Sequence, residues 1–318
     1  MGARGGMNTG EFDLIAHIRA RVGQRADVVL GIGDDAALLQ PPAGRQLVVT
    51  ADTLNAGVHF PESTAPHDIG WKALAVNLSD LAAMGAEPAW CTLSLSLPTS
   101  DPAWLDGFLD GFLGLAQSHG IALVGGDTTR GPLAIAVTAI GTVEPGRALR
   151  RDGACVGDDI WVSGTLGDAA AALHAWPDPS TTLRERLDRP TPRVELGRRL
   201  AGIANAALDV SDGLLADLGH LCRASGVGAE VELTRLPAST ALATYPLAAR
   251  IAWQATGGDD YELCFTAPPA RRGMLEALGV ECDLPLTRIG RIVAGAGVRA
   301  RDAEGQVWQP ARPGYTHF

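Results

Sequence analysis

Five short acidic turns punctuate this chain: Gly31-Ile32-Gly33-Asp34-Asp35, Thr50-Ala51-Asp52, Asn77-Leu78-Ser79-Asp80, Gly125-Gly126-Asp127 and Asp209-Val210-Ser211-Asp212-Gly213. Four of them follow an apolar, strand-like run, and the fifth lies in a helical pattern. Any one alone reads more readily as a capped turn or a helix N-cap, because Asp and Gly are ordinary turn residues. Five in one chain narrow the possibilities. In an α/β sheet, ligands gather outside the carboxyl ends of the strands, so turns of this kind are expected to converge on one site.

The pattern between these turns alternates. Helices are predicted over Glu11 to Val22, His67 to Met84, Pro102 to His119, Asp168 to Trp176, Arg193 to Ala204 and Leu214 to Ala224. Strands are predicted at Val28 to Leu30, Gln46 to Thr50, Cys91 to Leu97, Ile121 to Val124, Leu133 to Val143, Ile160 to Ser163 and Ala206 to Val210. At 318 residues the chain suits two α/β domains of the α+β type. The aperiodic segment Glu144 to Gly157, rich in Gly, Arg and Pro, marks the boundary, giving domains over 1–148 and 149–318. Trp176 to Pro192 is polar and Pro-rich and reads as an exposed excursion.

Charge then defines the chemistry. Two bare carboxylates about 4 Å apart repel by about 1 kcal/mol in water and about 4 kcal/mol at an effective dielectric near 20. A cluster of aspartates therefore calls for cations. Oxygen ligands without His or Cys select hard ions, and carboxylates combined with phosphates and water describe magnesium at a nucleotide. The formal net charge is -10 with no run of Lys or Arg, which argues against nucleic acid or an anionic membrane as partner. Magnesium between carboxylates and phosphates would let so acidic a chain hold a polyanion. No G-x-x-x-x-G-K-[ST] loop and no H-R-D or D-F-G set is present, so the usual nucleotide-binding folds are excluded.

No stretch reaches the roughly 18 apolar residues of a membrane span, and MGARGGMNTG has no apolar h-region, so a frayed leader and a cytoplasmic location are expected. Five scattered cysteines without a C-x-x-C spacing fit a reducing compartment. On the predicted helix, Asn77 and Asp80 share one face, while Trp71, Leu74 and Leu78 line another.

At these residues the chain resembles the thiamine-monophosphate kinases, in the superfamily of aminoimidazole ribonucleotide synthetase. The likeness runs through Gly10-Glu11-Phe12, Gly31 to Asp35, Gly57-Val58-His59-Phe60, Lys72 to Asp80, Gly125 to Thr129, Ser211 to Leu214, Asp260-Tyr261-Glu262-Leu263 and His317-Phe318. It implies a two-domain aminoimidazole ribonucleotide synthetase-like fold, with an N-terminal sheet that pairs across a homodimer and binds ATP and magnesium, and a C-terminal α/β domain that completes the substrate site. By the same likeness, Asp35, Thr50, Asp52, Asp80, Asp127, Asp209 and Asp212 would hold several magnesium ions. Gly126, Asp127, Arg151 and Ser211 would contact ATP. His59, Asp259 and Tyr315 would line the site of thiamine monophosphate. Asp35, Asp52, Asp80, Asp127 and Asp212 would form the catalytic set.

Where this family usually shows Gly-Gly-Glu-Asp-Tyr, the chain has Gly257-Gly258-Asp259-Asp260-Tyr261, one methylene shorter at Asp259. From spacing alone, Arg151 is either a phosphate-neutralising residue or a surface linker arginine, and His59 is either a ligand or a structural histidine. Tyr315 and Phe318 suit a planar cationic ligand or simple packing. A phosphomonoester with a second pKa near 6 is already ionised at neutral pH, so a phosphate acceptor needs positioning and charge neutralisation rather than a general base. Direct in-line transfer of the ATP γ-phosphoryl group is expected, as the last step of thiamine diphosphate biosynthesis. The competing readings are another ATP-dependent synthetase of the superfamily and a non-catalytic Mg-ATP sensor.

Overall fold

A computed structural model describes residues 10–310 and Gly314. In chain order the elements are α1 (Glu11–Arg21), β1 (Val28–Leu30), β2 (Leu38–Leu39), β3 (Gln46–Asn55), α2 (Pro66–Ala83), β4 (Glu87–Leu97), α3 (Pro102–His119), β5 (Ala122–Arg130) and β6 (Ala134–Val143). There follow β7 (Asp159–Ser163), α4 (Asp168–His174), α5 (Thr181–Asp188), α6 (Val194–Leu200), β8 (Ala206–Asp209), α7 (Leu214–Ser225) and β9 (Gly228–Glu232). The chain closes with α8 (Leu247–Thr256), β10 (Leu263–Ala267), α9 (Arg272–Glu281), β11 (Leu286–Val293), β12 (Gly297–Arg301) and β13 (Val307–Trp308). The described residues divide into two compact units: 10–77 with 88–142, and 78–87 with 143–310.

The first unit holds a four-stranded sheet in the order β3-β6-β4-β5, in which β4 and β5 run parallel. Helix α3 shows why this sequence folds as it does. Asp101 caps its start by accepting from the Ala103 and Trp104 amides at 2.9 and 3.3 Å, Pro102 opens the first turn, and Gly120 ends it at φ 63°. Leu105, Phe108, Leu109, Phe112 and Leu115 recur at helical spacing and are buried. Helix α3 meets α2 backbone to backbone, because a Cβ on Gly70 would lie 2.0 Å from the Phe108 carbonyl oxygen and one on Gly111 1.9 Å from that of His67. Strand β3 ends the sheet order. Its residues alternate, and Leu47 and Val49 stand 52% and 61% exposed.

The second unit is built on a seven-stranded sheet in the order β13-β12-β9-β11-β7-β10-β8. Strands β9 and β12 pair in parallel, whereas β7, β8, β10 and β11 pair antiparallel. Every residue of β7 and β10 is buried, as expected of strands covered on both faces. Leu214, Leu218 and Leu221 on α7 enter a core with Ile160, Val162, Leu208 and Ile289.

Most element positions follow the sequence patterns, with three differences. Strands β3 and β5 continue past Thr50 and Val124, so Asp52 and Asp127 lie within strands rather than at strand ends. The Pro-rich stretch from Trp176 to Pro192 contains helix α5, whose Leu183 and Leu187, four residues apart, are both buried against Ala169, Ala171 and Ala172 of α4. The prolines lie outside that helix. Finally, α2 is not split into a polar and an apolar face, since Lys72, Asn77 and Ser79 are buried along with Leu74 and Leu78.

Candidate functional site

In the first unit, Asp52 faces inward from β3, and its amide donates to Asn77 Oδ1 at 3.2 Å. Asn77 Nδ2 donates in turn to the Ala73 carbonyl at 3.0 Å. Asn77 is therefore a buried clamp between α2 and β3, and its amide positions the strand that carries Thr50 and Asp52. Asp127 is exposed on β5, with Oδ1 accepting from the Thr128 amide at 2.9 Å. Gly126 before it has φ 151°, and an added Cβ would lie 1.8 Å from the Leu93 carbonyl oxygen, so only glycine lets β5 pass β4 at this point. Asp35 is exposed after β1, and its amide donates to Asp34 Oδ1 at 2.8 Å. The Asn55 amide donates to His59 Nδ1 at 3.0 Å, which leaves the proton of the neutral ring on Nε2. The buried Lys72 Nζ donates to the His59 carbonyl at 3.0 Å and fixes the same loop.

The second unit brings together the segments around Asp80, Asp209, Ser211, Asp212 and Asp259. Asp209, buried at the end of β8, accepts from Ser79 Oγ at 2.7 Å. Burial, then the charge of Asp80, pushes Asp209 up to about 7. The loop after β8 is joined to the Gly257-to-Tyr261 turn by backbone bonds: Asp259 N–H to the Ser211 carbonyl at 2.8 Å and Tyr261 N–H to the Val210 carbonyl at 2.8 Å. Gly213 and Gly258 permit this approach, since a Cβ would lie 2.7 Å from the Thr256 oxygen and 2.4 Å from the Ser211 oxygen, respectively.

The turn itself is conformationally unusual. Asp259 and Tyr261 adopt φ 67° and 50°, in the left-handed region that non-glycine residues seldom occupy. Between and beside them, Asp260 accepts from the Gly167 amide at 2.8 Å, and Glu262 accepts from Arg186 Nη2 at 2.9 Å, Arg193 Nε at 2.7 Å and Ser163 Oγ at 2.6 Å. Burial holds the Asp260 carboxyl well above the usual range. These buried contacts over-determine the strained turn, and Tyr261 OH donates to Asp259 Oδ1 at 3.1 Å.

Ser79, Asp217, Arg186 and Arg193 were not legible as site residues. Asp217 Oδ2 accepts from three consecutive amides, Ser211, Asp212 and Gly213, at 3.0, 3.0 and 3.1 Å. A local signal existed: Asp217 is an acid in the first turn of α7, four residues after the Gly213 N-cap. Burial pushes Asp217 up to about 6, against the pull of the amides. Arg151 is exposed, with its carbonyl accepting from Ser225 Oγ at 2.7 Å. Of the expected site residues, Asp212 lines a cleft of about 440 Å³ in the second unit, together with His220, Arg223, Val298 and Trp308. Tyr315 and the His317-Phe318 end lie outside the described residues.

Among the described residues, no three or more His, Cys, Asp or Glu side chains form a ready-made metal cage. Magnesium does not require one, because it keeps several waters and takes one or two carboxylates along with substrate phosphates. The donor set fits: it is all oxygen, and the crowding of Asp80 on Asp209 is the repulsion that a divalent cation would relieve.

The two domains of the AIR synthase related proteins both match this chain, the N-terminal domain over residues 33–143 and the C-terminal domain over 156–303, which defines its class. Within that class, the thiamine-monophosphate kinase of Escherichia coli strain K12 is 46% identical over 323 residues, covering 98% of this chain and 99% of its relative. The chain belongs to the thiamine-monophosphate kinase family. The crystal structure of thiamine-monophosphate kinase from Stenotrophomonas maltophilia superposes with a TM-score of 0.87 at 58% identity, covering 93% of this chain and 96% of the other. The solved AaThiL structure, complexed with AMPPCP and TMP, gives a TM-score of 0.77 at 34% identity over 100% of both chains.

Proposed function

We propose that this enzyme transfers the γ-phosphoryl group of ATP to the phosphate of thiamine monophosphate, forming thiamine diphosphate and ADP. The family of the chain and the ATP analogue and TMP held by its structural relative support the reading. The observation in this molecule that carries it is buried Asp209, tied to Ser79 Oγ at 2.7 Å and raised by burial and by the charge of Asp80, a repulsion that a cation would relieve. Asp35, Thr50, Asp52, Asp80, Asp127, Asp209 and Asp212 are the residues that would hold magnesium. When bound, magnesium neutralises the two phosphate groups whose repulsion is the main obstacle to the reaction.

The rest is the work of the chain. Gly126, Asp127, Arg151 and the Ser211 hydroxyl hold the nucleotide, Arg151 by charge. By the family likeness, His59, through Nε2, Asp259 and Tyr315 would hold thiamine monophosphate. Since the acceptor phosphate is already ionised, in-line transfer needs no general base, and because no His, Ser or Asp of the motifs is flanked by the apparatus of an activated nucleophile, it proceeds without a phosphoenzyme. The domain assignment, 1–148 for ATP, magnesium and dimerisation and 149–318 for completing the substrate site, belongs to this reading. So do a cytoplasmic location and a place at the last step of thiamine diphosphate formation. Among the described residues no helix is long and apolar enough to cross a membrane. A homodimer is part of the proposal too, supported by edge strand β3, whose exposed Leu47 and Val49 a second copy would cover.

ADP release tests the reading. With Mg-ATP, the purified enzyme is expected to release ADP when thiamine monophosphate is added and not with thiamine-free buffer. Excess EDTA should abolish the release. Binding of Mg-ATP without turnover would instead favour a sensor, and turnover with a different acceptor would favour another synthetase of the superfamily.

A further inference from the structure

Three consecutive amides pointing at one oxygen make an anion nest, the arrangement with which many loops bind phosphate. In this chain the nest is already filled from within. Ser211, Asp212 and Gly213 donate to Asp217 Oδ2 at 3.0, 3.0 and 3.1 Å, and Asp217 is itself 6% exposed. Asp217 sits on α7, whose Leu214, Leu218 and Leu221 are locked into the core, so the oxygen is a fixed point. On its other side the loop is closed by the bond from the Asp259 amide to the Ser211 carbonyl.

We propose that Asp217 is a positioning residue: its oxygen sets the backbone of the Ser211-to-Gly213 loop, aims the Asp212 carboxylate, and denies the loop amides to phosphate. The inference rests on the reading of Asp209 and Asp212 as magnesium ligands. It adds that phosphate reaches this loop by way of cations and the Ser211 hydroxyl, with no direct contact to its amides. One acceptor oxygen takes all three bonds, so an isosteric amide keeps the geometry and a truncated side chain loses it.

The test compares Asp217→Ala with Asp217→Asn by Mn²⁺ binding, followed by electron paramagnetic resonance in the absence of substrates, together with Mg²⁺ activation of turnover and thermal melting. The Ala variant is expected to weaken Mn²⁺ binding and raise the half-activating Mg²⁺ concentration by about tenfold or more. The Asn variant should stay close to the unsubstituted enzyme in both. A folded Ala variant that binds Mn²⁺ normally would overturn the proposal, as would an Asn variant as impaired as Ala. Should Ala fail to fold, Asp217→Glu displaces the oxygen by one methylene and is expected to weaken Mn²⁺ binding where Asn does not. Absence of thiamine diphosphate formation by the unsubstituted enzyme would overturn the proposed function and leave the Mn²⁺ comparison standing.

Discussion

Ser79 Oγ donates to Asp209 Oδ2 at 2.7 Å, tying the C-terminal part of α2 to the end of β8 within the second unit. The bond lowers the Asp209 pKa, yet burial and Asp80 outweigh it and the carboxyl is pushed up to about 7. The folded protein thus binds a proton there that the unfolded chain, with an ordinary aspartate near 3.8, releases between about pH 4 and 7. Stability from this residue is present at low pH and is lost as pH rises. Without metal, Asp209→Asn is expected to match the unsubstituted protein near pH 4 and to exceed it at pH 8 by on the order of 2–4 kcal/mol. Urea unfolding in EDTA at both pH values checks this. The comparison of two proteins also removes the opposing contribution of His119, which burial lowers. An Asn variant less stable at pH 8 would contradict it.

Glu262 is fully buried beneath Arg186, Arg193 and Ser163. Glu262→Gln leaves two guanidinium groups short of a charge partner in a low-dielectric setting, and a loss of about 3–5 kcal/mol is expected. Denaturant titration measures it, and a change within about 0.5 kcal/mol would show that the network does not hold the turn.

Gly126→Ala would place a methyl group 1.8 Å from the Leu93 oxygen at φ 151°. Strand β5 must shift from β4 to accept it, so a loss of about 2 kcal/mol or more is expected, seen as a lower melting temperature. An unchanged melting temperature would mean that the two strands can separate here without penalty.

Tyr261→Phe deletes the bond to Asp259 Oδ1 and little else in shape. With Asp259 in the substrate site, KM for thiamine monophosphate should rise by about three- to tenfold, the worth of one hydrogen bond, while KM for ATP stays constant. Equal rises in both constants, or none, would count against Asp259 as a substrate contact.

What was legible in the sequence was local. The helix predicted from Pro102 to His119 is α3 in full, because helix ends and faces are written within a few residues. Helix α5 was hidden by flanking prolines that lie outside it, and its two buried leucines make too short a pattern to stand out. The acidic turns were visible, but not what they touch: Ser79 and Asp209 are 130 positions apart, and Arg186 and Glu262 are 76 apart. No periodicity spans such separations. Asp217 lay close enough to be noticed, four residues after Gly213, yet an acid in a first helical turn has so many ordinary uses that only the three converging amides give it a role.

Phosphorus NMR of the purified enzyme with Mg-ATP and thiamine monophosphate follows the proposed transfer itself. Thiamine diphosphate and ADP are expected in equal amounts, EDTA is expected to stop both, and Asp80→Asn, folded, to make little of either. ADP formed without thiamine diphosphate, or full turnover by Asp80→Asn, would contradict it.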